Sequence, residues 1–234
     1  MINYELIAIG LYMLLMILIG LYSYRKSANT SDDFLLGGRK IGPFVTALSA
    51  GAADMSGWLL MGLPGAMYMS GISSSWIAIG LTTGAFLNYV LVAPRIRTYT
   101  EIAKNSITLP VFFENRFHDK TQLLKITASL FILIFFTLYT SAGMVSGGRL
   151  FESAFAMDYH TGLIATSLVV VFYTFIGGFL AVSLTDFVQG TIMVIALIIV
   201  PVVILQEVGG MKETFTIIEN KNVEYLSLFR GIST

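Results

Sequence analysis

The sequence contains no cysteine, which removes disulfide frameworks and thiolate metal sites from consideration. It is also poor in charge. Charged residues make up 12% of the chain, where a soluble domain carries about 25%. The two histidines, His118 and His160, lie far apart and outside the apolar runs. Both read as loop residues, and no histidine-based metal site is expected. Net charge is zero. With no basic run and no interleaving of basic and aromatic residues, nucleic acid is not an expected partner. Catalytic signatures are missing as well: there is no Walker A loop, no GxSxG elbow and no HExxH helix. The chain does not read as an enzyme, and any transport would draw on an ion gradient rather than on ATP bound here.

What the chain has in quantity is apolar residues, 56% of 234. That composition predicts an all-α integral membrane protein surrounded by lipid. A span needs about 20 mostly apolar residues. Six stretches qualify, at 6–23, 42–70, 74–93, 124–148, 161–182 and 185–205. The first lacks a basic n-region and a small-residue cleavage site, so it is expected to stay as a span rather than be removed as a signal peptide. The third stops at Pro94, and a polar region runs from there to the fourth. The tail from Gln206 is mixed and polar. Lysine and arginine mark the inner loops of membrane proteins. With the N-terminus outside, only Arg149, Lys212, Lys221 and Arg230 of the fourteen basic residues fall on outer segments. The N-terminus is therefore expected outside.

One stretch stands apart, Ala47-Leu-Ser-Ala-Gly-Ala-Ala-Asp-Met-Ser-Gly-Trp-Leu-Leu-Met-Gly-Leu-Pro-Gly65. It is apolar enough for a bilayer, yet it carries Asp54 among Gly51, Gly57, Gly62, Pro64 and Gly65. An intramembrane carboxylate is costly and marks ion or substrate pathways. Glycine lets the backbone leave the helix, and the carbonyls so freed need a partner that lipid does not supply. The expectation is a broken transmembrane helix that forms part of a sodium site. Main-chain carbonyls near Ala52–Ser56 and the Ser56 hydroxyl would offer the hard oxygen ligands such an ion prefers. The alternative is a carboxylate satisfied by serine hydroxyls or a helix terminus, with no transport role. A mid-membrane break also exposes a helix N-terminus, whose partial positive charge suits a substrate carboxylate.

Other residues extend the candidate list. Trp58 follows the break, and Tyr139, Thr140 and Ser141 bring three hydroxyls to adjacent positions in the fourth span. Such hydroxyls line a hydrated cavity or bond to their own backbone. Asp186, at the start of the sixth span, either caps that helix or serves a cytoplasmic gate. Arg39 either snorkels to the interface or pairs with a gate carboxylate. Gly143-Met-Val-Ser-Gly147 has the GxxxG form, whose plainer meaning is close helix packing.

The run from Gly37-Gly-Arg-Lys-Ile-Gly-Pro through Ala47–Gly65 resembles the second span of the sodium/solute symporter family. Gly71-Ile-Ser-Ser-Ser-Trp-Ile-Ala-Ile-Gly80, Gly148-Arg-Leu-Phe-Glu-Ser153 and Tyr173-Thr-Phe-Ile-Gly-Gly-Phe-Leu-Ala-Val-Ser183 extend the likeness over essentially the whole chain. The Asp-Met-Ser-Gly-Trp block looks like the bacterial proline branch and less like the sugar or pantothenate branches. The resemblance implies a LeuT-type fold, a leading helix followed by two inverted five-helix repeats. The second to sixth spans would be the first repeat, and the second repeat is absent. It further implies sodium-coupled uptake of L-proline across the bacterial cytoplasmic membrane, with the sodium ion co-transported. By the same likeness, the carbonyls of Ala52 and Met55 would contribute to the sodium site and Asp54 would be needed for coupling. Ser56, Gly57 and Trp58 would lie at the proline site, which Tyr139 would line. Asp186 would lie on the inner sodium exit path and Arg39 on the cytoplasmic side. Family members are much longer, so the chain is expected to be the N-terminal half of a transporter. A symporter for another small solute, or a symporter-like membrane sensor with a signalling domain downstream, are the competing readings.

Overall fold

The computed structural model describes residues 4–26, 30–55 and 57–231, and no strand occurs among them. The helices are α1 (Tyr4–Lys26), α2 (Ser31–Leu36), α3 (Pro43–Asp54), α4 (Leu63–Ser70), α5 (Ser75–Leu87), α6 (Ala93–Ile102), α7 (Leu109–Phe117), α8 (Leu123–Phe155), α9 (Tyr159–Val208) and α10 (Met211–Lys221). Among the described residues, four helical runs are long and apolar enough to cross a membrane: Ile7–Lys26, Leu63–Ile102, Leu123–Phe155 and Tyr159–Val208. The chain is a multi-pass membrane protein.

The helix limits differ from the sequence expectation in two informative places. Helix was expected to stop at Pro94, but it continues through α6 to Ile102. A proline removes one backbone donor and clashes with the preceding turn. A π-helical turn, Asn88–Val92, lies just ahead of Pro94. A matching one, Trp58–Gly62, lies just ahead of Pro64. In both places the widened turn absorbs the missing donor, and the helix goes on. The second difference concerns 161–182 and 185–205, which both fall within α9. That run is interrupted at Gly178, with φ 58° and ψ −152°. His160, read as a loop residue, sits in the first turn of α9.

The chain divides into two compact units, Met1–Asp54 with Ala103–Gly190, and Met55–Ile102 with Thr191–Thr234. In the first, α1 lies against α9. Met16, Tyr173 and Ala181 are buried at this seam, with Tyr12, Ile19 and Val188 packed around them. Small residues make the approach possible, as they do in membrane helix pairs generally. A methyl added at Gly177 would stand 2.9 Å from the Gly20 carbonyl oxygen. Gln189 Nε2 donates to the Tyr12 hydroxyl at 2.7 Å across the same seam. Gly143 faces open space, whereas Gly147 meets Thr166 and Gly148 meets Tyr159. Half of the GxxxG pattern therefore packs, and half does not.

The region between α6 and α8 is held by polar contacts. Asn115 Nδ2 donates to Ser106 Oγ at 2.9 Å, and Lys125 Nζ lies 3.0 Å from Glu114 Oε2. Asp119 accepts from the Thr121 hydroxyl at 2.5 Å and from the Leu124 amide at 2.8 Å, satisfying an early donor of α8. Those bonds, the Thr121 hydroxyl first, hold the Asp119 carboxyl below the usual range.

In the second unit, the tail that reads as mixed and polar is ordered as α10 and a 3-10 turn, Val223–Leu226. Trp76 Nε1 donates to the Leu228 carbonyl at 2.9 Å. The Lys221 ammonium lies 4.1 Å from the centre of the Tyr68 ring. Gly71, at φ 75°, has no space for a side chain because the Tyr225 backbone lies against it.

Candidate functional site

Helix α3 starts at Pro43, whose missing donor costs nothing at that position, and ends at Asp54, with Met55 outside regular helix. The interruption expected from Asp54 and its glycines therefore falls at Met55. Ser56 lies outside the described residues, as does the side chain of Trp58. Asp54 is exposed at the end of α3. The last carbonyls of a helix lack partners within it, and one of these, on Ala53, accepts a 2.7 Å hydrogen bond from the Tyr139 hydroxyl of α8. The neighbouring hydroxyls behave otherwise. Thr140 and Ser141 each donate to a carbonyl one turn back in α8, on Phe136 and Thr137, at 2.8 Å. Of the three adjacent hydroxyls, Tyr139 is the one that reaches α3.

On another face, α3 lies close to α9. Ser49 is buried and its Oγ donates to Asp186 Oδ2 at 2.8 Å. Asp186 sits about two turns past Gly178, inside the helix rather than at its start. A capping role is thereby removed, and the carboxylate is left for other work. Next to it, Ser183 and Thr185 are buried, and Thr185 returns its hydroxyl to the Val182 carbonyl at 2.8 Å. A cavity of about 400 Å³ lies here, lined by Arg39, Thr46, Ser49, Ala53 and Asp186 among others. Arg39 follows Gly37 and Gly38, and all three have positive φ, 59°, 60° and 56° in order. Two glycines at that point make so tight a left-handed turn affordable. The turn brings Arg39 to the cavity.

The first unit thus brings Arg39, Ala53 and Asp186 to one cavity, with Tyr139 bonded to Ala53. Ala52 lies on the α9 side of α3, where its Cβ stands 3.6 Å from a methyl built at Gly190. Sequence reasoning singled out Arg39, Asp186 and Tyr139 but passed over Ser49. Its spacing from Asp54 carries no motif, and its partner lies 137 residues away. Among the described residues, no group of three His, Cys, Asp or Glu side chains is placed to hold a metal ion. Oxygen for a hard cation would come from carbonyls, hydroxyls and single carboxylates.

The model of the sodium:solute symporter family matches residues 34–231. The osmoregulated proline transporter OpuE of Bacillus subtilis (strain 168) is 59% identical over 228 residues, covering 97% of this chain and 46% of that protein. The sodium/proline symporter of Staphylococcus aureus (strain JH9) is 55% identical over 227 residues, covering 97% of this chain and 44% of that protein. The chain therefore spans less than half the length of these curated relatives. No solved structure matches it.

Proposed function

The chain belongs to the sodium:solute symporter family, and from that premise we propose that it is the N-terminal part of a sodium-coupled L-proline carrier of the bacterial cytoplasmic membrane. The observation that carries the reading is the 55–59% identity, across nearly all of this chain, to proteins named for proline transport. The fold proposed is LeuT-type, in which α1 leads and the following helices form the first of two inverted repeats. The N-terminus is proposed outside, on the distribution of lysine and arginine.

Roles follow residue by residue. Ala52 and Met55 lend carbonyls to sodium, and Asp54 couples the ion to the carrier. Ser56, Gly57 and Trp58 contact proline, as does Tyr139. The hydrogen bond from Tyr139 to the last turn of α3 supports placing that hydroxyl beside the broken helix. Asp186 and Arg39 serve the inner ion path, and their common cavity supports this. Sodium binding favours the state that accepts proline, and proline must then favour sodium binding by the same factor.

The test uses proteoliposomes that hold the full-length carrier containing this chain. An imposed sodium gradient is expected to drive uptake of labelled proline, and excess unlabelled proline is expected to block it. Uptake that ignores sodium, or that excess proline leaves unchanged, overturns the reading.

A further inference from the structure

We propose that Ser49 is a positioning residue for sodium release: its hydroxyl holds the Asp186 carboxylate against α3 until the ion claims it. The inference rests on the sodium-coupled reading above.

The contact is built by tertiary packing and not by local propensity. Ser49 and Asp186 come from helices far apart in sequence, and their oxygens are 2.8 Å apart. Gly190, one turn after Asp186, lets α9 approach. A methyl there would stand 3.3 Å from the Leu48 carbonyl oxygen and 3.6 Å from Ala52 Cβ. The lack of a side chain at Gly190 therefore favours the close approach of α9 to α3 beside the Ser49–Asp186 pair. It also sets the seam beside Ala52, a residue assigned above to the sodium site.

Chemistry singles out Ser49 among the cavity's hydroxyls. Thr46 donates its hydroxyl to the Gly42 carbonyl at 3.0 Å, one turn back. Of the lining hydroxyls of Thr46, Ser49 and Ser183, that of Ser49 has a described bond to the carboxylate. A carboxylate in a membrane protein is costly to leave without a donor, and this bond stabilises Asp186 when no ion is near. A sodium ion seeks the same oxygen. An ion that takes Oδ2 itself, rather than one of the carboxylate's other lone pairs, competes with the serine proton there and displaces the hydroxyl. Once displaced, Ser49 no longer ties α3, the helix that ends in Asp54, to α9. Removing the hydroxyl takes away the competitor, so sodium should dwell longer at Asp186 and leave more slowly.

The experiment uses the full-length carrier and needs no proline for its first readout. Sodium is titrated against choline, and the rise in thermal midpoint gives the half-saturating concentration, because a ligand bound by the native state stabilises it. Ser49→Ala is expected to reach half-saturation at about three- to tenfold lower sodium, the net worth of one ordinary intramolecular hydrogen bond. Ser49→Thr, which keeps the hydroxyl, is expected to stay near wild type. Sodium on the trans side should then inhibit proline uptake more strongly in Ser49→Ala by a similar factor, with proline half-saturation unchanged when cis sodium is saturating. Equal sodium half-saturation in wild type and Ser49→Ala, or Ser49→Thr behaving like Ser49→Ala, overturns the proposal. So does a Ser49→Ala protein that merely melts earlier with its sodium response intact, which is what a structural bond would give. If wild type ignores sodium altogether, the sodium-coupled reading itself fails. Should Ser49→Ala not fold, Ser49→Cys, with its weaker donor, is expected to shift in the same direction.

Discussion

Two interruptions of helix, at Met55 and at Gly178, look alike in sequence, since each lies beside glycines in an apolar run. Physically they differ. At Gly178 the break is forced. Its φ of 58° suits glycine, and a methyl would stand 2.6 Å from the Phe34 carbonyl oxygen, so α2 packs into the gap. At the end of α3 nothing comparable presses among the described residues. A methyl at Gly51 would meet no atom within 4 Å, Asp54 is exposed, and one freed carbonyl is held by a single tyrosine hydroxyl. A break locked by packing is scaffold. A break whose described tie at its end is one hydrogen bond, and which ends in a carboxylate, is suited to a part that moves with an ion.

Substitutions should separate the two, and the largest effect belongs to the locked break. Gly178→Ala combines left-handed strain with a clash against α2, and is expected to cost about 2–5 kcal/mol. The measurement is the thermal midpoint in detergent, and a midpoint equal to wild type would show that the α2 contact is not rigid. Asp54→Asn is expected to leave membrane insertion and midpoint close to wild type while raising the sodium concentration for half-maximal uptake roughly tenfold or more, equivalent to about 1.4 kcal/mol. Unchanged sodium dependence would remove Asp54 from coupling and make both breaks structural. Tyr139→Phe deletes the hydroxyl that holds Ala53 and should cost about 0.5–1.5 kcal/mol. The loss should appear in proline half-saturation more than in expression. The smallest effect is expected from Gly51→Ala, where open space and better helix propensity predict a gain of up to about 1 kcal/mol. A loss there would show that another part of the full carrier covers this face of α3.

Much of the fold was legible beforehand because hydropathy is a local property. The charge-poor, apolar composition and the runs around α1, α8 and α9 called for membrane helices, and the structure has them. The interruption near Asp54 was legible too, since a carboxylate among glycines in an apolar run is unfavourable in plain helix. The boundaries at Pro94 and between the expected fifth and sixth spans were not. A proline does not always stop a helix: Pro94 follows the widened turn Asn88–Val92, and Pro201 lies inside α9. A glycine breaks a helix only where a neighbour demands it, as Phe34 does at Gly178. The order in the tail was hidden for a similar reason, because Trp76 and Tyr68 anchor it from a distant part of the chain.

By itself, the sequence determined that this chain lives in lipid, which family it joins and which residues are chemically costly enough to matter. Composition and motif are properties of neighbours along the chain. Tertiary structure alone decided what those residues touch. It turned Asp186 from a possible helix cap into the partner of an unremarked serine, and it picked Tyr139 from three adjacent hydroxyls. The reason is geometric: a hydrogen bond between helices depends on how closely they pack. At the seam of α3 and α9 that closeness is helped by the lack of a side chain at Gly190, which lies against Leu48 and Ala52.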